Sequence, residues 1–558
     1  MSPTDSTAQP DVAEVRLQQA FDAHRQGALD EAEGLYRAVL DLRAGEVRAL
    51  RNLGALELQR GRPAEALAWL DWALAAQPDQ PGVLGNRAGA LRALGRGEEA
   101  LESVRKALAL DPDYLDGLNT LGLLLTELGL PEHAITPLER ALEREPGQPF
   151  FWNNHGVALS RLSQPDQALV SFDRALQLAP GYVEALSNRV GALRALGRLK
   201  EALAACEQLL AAHPGHLDAL VNRGCILRDL GRPTDALAVF ERVCALDPDH
   251  VEAHWSLALQ LLAAGRWQEG WPLFEWRWRR SDFQPLAGRF PSPPWLGETP
   301  LAGRILLLHY EQGLGDSLQM LRYLPLIAEQ GARVVLAVQR PLLPLVSGLP
   351  GVALAITDGD PLPPYDLHCP LMSLPLAFGT RPDTVPWRGP YLTAATNKAE
   401  AWAARLQSLG RPRVGLAWQG NPRQLNDRNR SLPLAALEPV LKTGAAFVSL
   451  QRDYAPGDRE RLAGLDIVDV SDDLHDFGET AAIMSGLDAV VSVDTSVAHL
   501  AGALGKPLLL LIPFAPDFRW GETGDRTPWY PSAQVLRQTA PGDWSGPLAR
   551  AAKAFQPG

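Results

Sequence analysis

The sequence predicts an all-α superhelix of short repeats followed by an α/β domain of two lobes, and three observations carry that prediction. A glycine recurs every 34 residues through the first half. A small residue and a proline recur with the same period. Beyond residue 300 the pattern changes to buried strands, glycine-containing loops and helices, the unit from which parallel sheets are built.

A chain of 558 residues exceeds what one hydrophobic core serves, so several structural units are expected. Apolar residues at 46% and charged residues at 21% are ordinary for folded soluble protein. A net charge of -12 argues against a nucleic-acid binder with a broad basic face, while leaving room for a local basic pocket that takes a phosphate. The first thirty residues lack the apolar core of a signal peptide, and the most apolar later run, Leu508 to Ile512, is only five residues long. The expectation is a cytoplasmic protein without a transmembrane segment. Cys206, Cys225, Cys244 and Cys369 show no C-x-x-C spacing, so they are expected to be buried thiols rather than a zinc site or a disulfide framework.

In the repeat half the turn position reads Gly27, Gly61, Gly95, Gly129, Ser163, Gly197, Gly231 and Gly265. Five places on stand Ala32, Ala66, Ala100, Ala134, Ala168, Ala202 and Ala236, with Gly270 in the last copy. Prolines recur at Pro78, Pro112, Pro146, Pro180, Pro214 and Pro248. Glycine ends the first helix of each pair, where a positive φ is cheap without a Cβ. Alanine lets the second helix approach closely, and proline stops that helix before the next pair. Units such as NRAGALRALGRGEEALESVRKALALDPDY (Asn86 to Tyr114) resemble the tetratricopeptide repeat family over roughly residues 12 to 280. The resemblance implies a right-handed superhelix with a groove that holds a peptide or another protein.

Asn52, Asn86, Asn154, Asn188 and Asn222 occupy one position of the repeat, interrupted by Thr120, and stacking would align them along one face. As in related repeat proteins, their amides are expected to bind the backbone of an extended protein acceptor; the alternative is that they bond neighbouring helices or water. The last unit, GRWQEGWPLFEWRWRR (Gly265 to Arg280), carries four tryptophans and is expected to form an apolar seam that docks the repeats onto the next domain.

After a proline-rich connector, Phe290 to Pro300, Arg304 to His309 reads as a buried strand. The loop Glu311-Gln312-Gly313-Leu314-Gly315-Asp316, a helix to about Glu329 and a strand at Arg333 to Gln339 follow. A second set comprises strands at Arg413 to Trp418, Ala446 to Gln451 and Asp488 to Asp494, a helix at Thr495 to Leu504 and a last strand at Pro507 to Leu511. The expected organisation is a disordered N-terminus (1–11), repeats (12–284), a first lobe on the acceptor side (285–395) and a second lobe on the donor side (396–558). Ligands of such sheets sit at the carboxyl ends of the strands.

The segments GLGDSLQMLRYLPLI and SVDTSVAHLAGALGKP resemble the two signatures of heptosyltransferase-like glycosyltransferases of the two-lobed GT-B fold. The repeat-plus-transferase layout resembles bacterial protein O-glycosyltransferases, including enzymes that glycosylate flagellin. The resemblance implies a nucleotide-sugar donor as substrate, no metal and no cofactor. Its donor-binding set maps onto Gly315, Gln419, Asn421, Arg430, Asp494, Thr495, Ser496 and His499.

The residues support this in part by themselves. Thr495 and Ser496 open a helix at a strand's carboxyl end, where free N–H groups form an anion site suited to a diphosphate; the plain alternative is helix capping, with His499 packed in the core. Arg430 resembles the basic residue that the family aims at the leaving diphosphate; a solvated loop charge is the plain alternative, and Arg428 is its rival in the same loop. Asp316 is the expected general base. Its alternatives are a helix cap in a D-x-x-Q pattern, or Glu311 or His309 as the base. The function implied is an inverting transferase that modifies a protein held by the repeats. Transfer to lipopolysaccharide or another glycan, or a non-catalytic scaffold, are the competing functions.

Overall fold

The computed structural model describes residues 11–422, 424 and 426–556. Residues 1–10 of the expected disordered N-terminus lie outside it, and Asp11 caps the first helix, accepting the Ala13 N–H at 3.1 Å. The chain divides into two compact units, Met1–Ala212 and His213–Gly558.

The first unit is a stack of six helix pairs, running from Val12–Arg25 to Leu199–Ala212, each helix packed on the next. All three periodic signals are realised. The turn glycines Gly27, Gly61, Gly95, Gly129 and Gly197 have φ between 70° and 77°, and Ser163 takes the same left-handed conformation at φ 58°. The alanines from Ala32 to Ala202 are 0% exposed. Helices end two residues before the prolines, as Ala76 does before Pro78 and Leu110 before Pro112. A further comb escaped the sequence reading. Gly54, Gly122 and Gly156 lie where a Cβ would stand 2.4 to 2.6 Å from Leu70, Leu138 and Phe172, so a small residue on one helix receives a large one from its partner.

The second unit opens with two further helix pairs, Leu217–Asp229 with Pro233–Leu246 and Val251–Ala263 with Trp267–Phe274. Gly224 repeats the same device against Phe240. Among the described residues ten strands follow in two sheets. The first contains β1 (Ile305–His309), β2 (Arg333–Ala337), β3 (Val352–Ile356) and β4 (Leu367–Pro370), in the order β3-β2-β1-β4. The second contains β5 (Arg413–Ala417), β6 (Ala446–Ser449), β7 (Ile467–Asp469), β8 (Ala489–Val493), β9 (Leu508–Ile512) and β10 (Ala533–Arg537), in the order β10-β9-β8-β5-β6-β7. Every pairing is parallel. β3, β4, β7 and β10 were not anticipated, and β10 rather than β9 is the last strand.

The strand order reverses beside β1 in the first sheet and beside β5 and β8 in the second. Crevices at such switch points are where parallel sheets take ligands.

The tryptophan-rich unit divides its work. Trp267 stacks on Trp529 with centroids 5.0 Å apart, and Trp271 meets Phe518 edge-on at 6.0 Å, in a core that runs from the last repeat through both sheets. Trp276 and Trp278 are only half-buried, against His254 and Phe283. The seam is not purely apolar: the Arg277 side chain is 0% exposed and reaches the Glu311 side chain, itself 1% exposed, at 3.1 Å. Of the four cysteines, Cys206, Cys225 and Cys369 are buried, and Cys244 is half-buried.

Candidate functional site

Two helices begin at the switch points and pack on each other, Leu314–Met320 after β1 and Ser496–Ala503 after β8. Gly315 makes this possible, because a Cβ there would stand 2.6 Å from the His499 ring. Between the sheets lies a cleft of about 1260 Å³, lined by the loop 312–316, residues 419–422, Arg430, Thr495 to Val497, Asp517 and Arg519, among others. The cleft thus gathers Gly315, Asp316, Gln419, Asn421, Arg430, Asp494, Thr495, Ser496 and His499 on one surface.

Asp316 is the third residue of its helix, and its Oδ2 accepts the Gly313 N–H at 2.7 Å. The capping expectation was therefore right in kind but reversed in register: Asp316 reaches back to the N-cap rather than being it, and Gln319 plays no part in the cap. Gln319 Oε1 instead accepts from Arg519 Nε at 2.9 Å. Asp316 Oδ1 pairs with Arg519 Nη2. Burial raises the Asp316 pKa above the usual carboxylate value, Arg519 pulls it down, and Asp517 adds to the rise. Gln339, two residues beyond β2, steadies this loop by donating to the Gln312 carbonyl at 2.8 Å and accepting from Ser317 Oγ at 2.9 Å.

The rival bases lie outside the cleft lining. His309 stacks on Phe290 at 4.2 Å and shares a hydrogen bond with His368 at 3.2 Å, and burial lowers its pKa to about 3. Glu311 Oε1 accepts from Arg277 and from the Met372 N–H.

On the second lobe the amides of Ser496 and Val497 precede the first helical bonds, which Ala498 and His499 donate to the Thr495 carbonyl. Thr495 makes no side-chain cap; its hydroxyl lies 3.2 Å from Ser492 Oγ. The start of this helix is therefore left to the cleft, which favours an anion there. Arg430 is anchored by the Asp427 carboxylate at 3.0 Å and the Asp494 carbonyl at 3.0 Å. Gly420 leaves room for it, since a Cβ would meet the Arg430 guanidinium at 2.4 Å. Its rival Arg428 is exposed.

Other members of the set have structural tasks. Gln419 spends its amide on Asp458 and on the Ala455 N–H. Asp494 contributes its carbonyl to Arg430, and its half-buried carboxyl is raised to about 6, first by desolvation and then by Asp517. His499 is 5% exposed, hydrogen-bonded to the Tyr530 hydroxyl at 2.9 Å, and held neutral by burial and by the cations Arg519, Arg322 and Arg430. Asn421 is exposed on the cleft wall.

In the repeats, the aligned asparagines Asn52, Asn86, Asn154, Asn188 and Asn222 are each half-buried. Asn154 Nδ2 donates to Asn119 and Asn188 Nδ2 to Asn153, both at 2.9 Å, so two of them are tied to the preceding repeat.

The residue that sequence reasoning missed is Arg519. It lies in PDFRW beyond the carboxyl end of β9, and that position was the available signal.

Residues 17–81, 86–149 and 221–274 match one tetratricopeptide repeat family, and residues 161–223 match a second. Residues 462–541 match glycosyltransferase family 9 (heptosyltransferase), a stretch that contains the Ser496 helix and Arg519 but not the Asp316 loop. Protein FlbA of Caulobacter vibrioides is 30% identical over 325 residues, covering 53% of this chain and 53% of that protein. The chain thus spans about half the length of the curated relative it matches. Similar solved structures include a tetratricopeptide repeat protein from Parabacteroides merdae, with 21% identity, TM-score 0.37, and coverage of 45% of this chain and 98% of that one. Another is a tetratricopeptide repeat protein of Thermus thermophilus, with 23% identity, TM-score 0.30, and coverage of 33% and 99%. Among the described residues no helix is long and apolar enough to cross a membrane. The chain carries tetratricopeptide repeats followed by a C-terminal glycosyltransferase family 9 domain.

Proposed function

We propose that the chain is an inverting glycosyltransferase of GT-B architecture that moves a sugar from a nucleotide-activated donor to a hydroxyl of a protein acceptor held by the repeats. The observation that carries the reading is the convergence, across one cleft, of a carboxylate at the start of one helix and the open N-terminus of another, with Arg430 beside the latter. In this reading the donor diphosphate sits on the Ser496 helix. Asp316 takes the proton of the acceptor hydroxyl while its oxygen bonds the anomeric carbon, and the bond from that carbon to the phosphate oxygen breaks. The nucleoside diphosphate leaves with its growing negative charge on the helix amides and Arg430. One displacement inverts the anomer. A metal is not needed, because fixed N–H dipoles and a guanidinium already face the leaving group.

The test is a thermal-shift panel of UDP-, GDP-, ADP- and CDP-linked sugars and their free nucleotides. A ligand at one hundred times its Kd stabilises the folded state by about 2.7 kcal/mol. At least one is expected to respond, and Thr495→Ala with Ser496→Ala is expected to weaken that response while the protein stays folded. Absence of any response, or an unaltered response in the folded double variant, would remove the donor site.

The protein acceptor is proposed on the repeats, because an acceptor held on the same chain meets the donor at a raised effective concentration; flagellin is one candidate for the assay. Replacing Asn154 and Asn188 together by alanine is expected to reduce sugar transfer to the intact acceptor and leave donor hydrolysis nearly unchanged. Because both amides tie neighbouring repeats, unfolding must be monitored in parallel. Full transfer by a folded double variant would move the acceptor off these asparagines.

A further inference from the structure

Arg519 spends every nitrogen of its guanidinium. Nε donates to Gln319 at 2.9 Å, Nη1 to Asp517 at 2.7 Å, and Nη2 to Asp316. Gln319 and Asp316 stand on the first-lobe helix Leu314–Met320, whereas Asp517 and Arg519 itself belong to the second lobe after β9. The side chains of Arg519 and Asp316 are 8% and 18% exposed, so the pair is weakly screened.

The surroundings of Asp316 explain what the pair does. Asp517 faces it from the loop after β9, Asp494 lies at the end of β8, and Glu311 lies in its own approach loop; all three are acidic. His499, on the helix packed against it, is neutral. Arg430 stands further off, paired with Asp427. Burial and the neighbouring carboxyls of Asp517 and Glu311 favour a protonated Asp316, which could not take the acceptor's proton. Arg519 is the cation in direct contact with it, and a guanidinium keeps its charge when buried.

We infer that Arg519 is a positioning residue, a clasp between the two lobes that keeps the Asp316 carboxylate charged and aimed into the cleft. The inference rests on the reading of Asp316 as the base. It differs from a phosphate-binding role for Arg519, because each guanidinium nitrogen already donates to a protein acceptor.

Two measurements on the full chain test it. In the first, thermal stability is followed against pH for the wild type and Asp316→Asn, and the difference between the curves reports the titration of Asp316. The same pair is then compared in Arg519→Gln, Arg519→Lys and Asp517→Asn backgrounds. Arg519→Gln is expected to move the midpoint up by about one pH unit, a tenfold change in proton affinity, with Arg519→Lys restoring much of it. Asp517→Asn, which removes a like charge, is expected to move it down, so the sign is tested even if Arg519→Gln does not fold. In the second, release of free nucleotide from the UDP-, GDP-, ADP- and CDP-linked sugars is followed against pH, and the acid limb is expected to shift with the same signs. Midpoints that stay fixed while stability falls equally at every pH would make Arg519 a structural clasp alone. Fixed midpoints with weakened nucleotide binding would make it a phosphate ligand. Either outcome overturns the inference. Normal turnover by Asp316→Asn would instead sink the underlying reading, which this arrangement detects separately.

Discussion

Asp316→Asn is expected to slow sugar transfer by roughly 10² to 10⁴, the usual share of a positioned base, while donor binding survives. Asparagine keeps the size of the side chain and can still accept the Gly313 N–H through its carbonyl, so the helix start is preserved. What it loses is basicity and the ion pair to Arg519. Arg519 retains Asp517 and Gln319, which limits the structural cost. Nucleotide release, the thermal response to donor and the unfolding midpoint should therefore be read on one preparation. A large fall in release with an unchanged donor response is the expected pattern. A lowered midpoint with near-normal release would show that capping and clasping exhaust the role of this carboxylate.

The repeats were legible because each unit imposes a backbone demand that only certain residues meet. Ser163 at φ 58° is instructive, since the period alone identified the position and the structure then required the glycine conformation of a residue that is not glycine. The glycine comb facing Leu70, Leu138 and Phe172 was missed because its small residue varies and its partner lies sixteen places on. In the α/β part, the buried strands β1, β5, β8 and β9 announced themselves as apolar runs. β4 (Leu-His-Cys-Pro) and β7, of three residues, carry too little pattern to be read, and β3 is half-exposed.

The site followed the same division. Residues within one segment, such as Asp316 in its glycine loop and Thr495 at its helix start, could be proposed locally. Their partners could not. Asp316 meets a guanidinium 203 residues away, and Glu311 one 34 residues back in the last repeat. Pairs of that kind are set by the packing of whole layers and leave no periodic trace.

The Arg277–Glu311 pair carries the other large effect. Arg277 donates to Glu275 at 2.6 Å, Glu311 at 3.1 Å and Ser373 at 2.7 Å, and it is fully buried. Burial pushes Glu311 up to about 7, against the pull of Arg277. Arg277→Met fills the volume but strands the acid, and removing one partner of a buried pair costs about 3 to 5 kcal/mol. Adding Glu311→Gln should return part of that loss, because the fully buried acid is then gone while Glu275 keeps Ser373 and Trp278 as donors. The wild type carries a pH signature of its own. A carboxyl raised from its ordinary value to about 7 in the fold contributes stability that is present below the unfolded value and lost as pH rises through about 7. Glu311→Gln should flatten this decline between about pH 4.5 and 7. Glu311 immediately precedes Gln312, whose carbonyl Gln339 holds in the Asp316 loop, so Arg277→Met should also depress nucleotide release, with partial recovery in the double variant. Denaturant midpoints and release rates for the two single variants and the double variant decide the matter. If Arg277→Met is as stable as the wild type across this pH range, the pair does not support the loop, and the last repeat is held by its other contacts, among them Glu275 with Ser373 in the first lobe and the tryptophan contacts with Trp529 and Phe518 in the second.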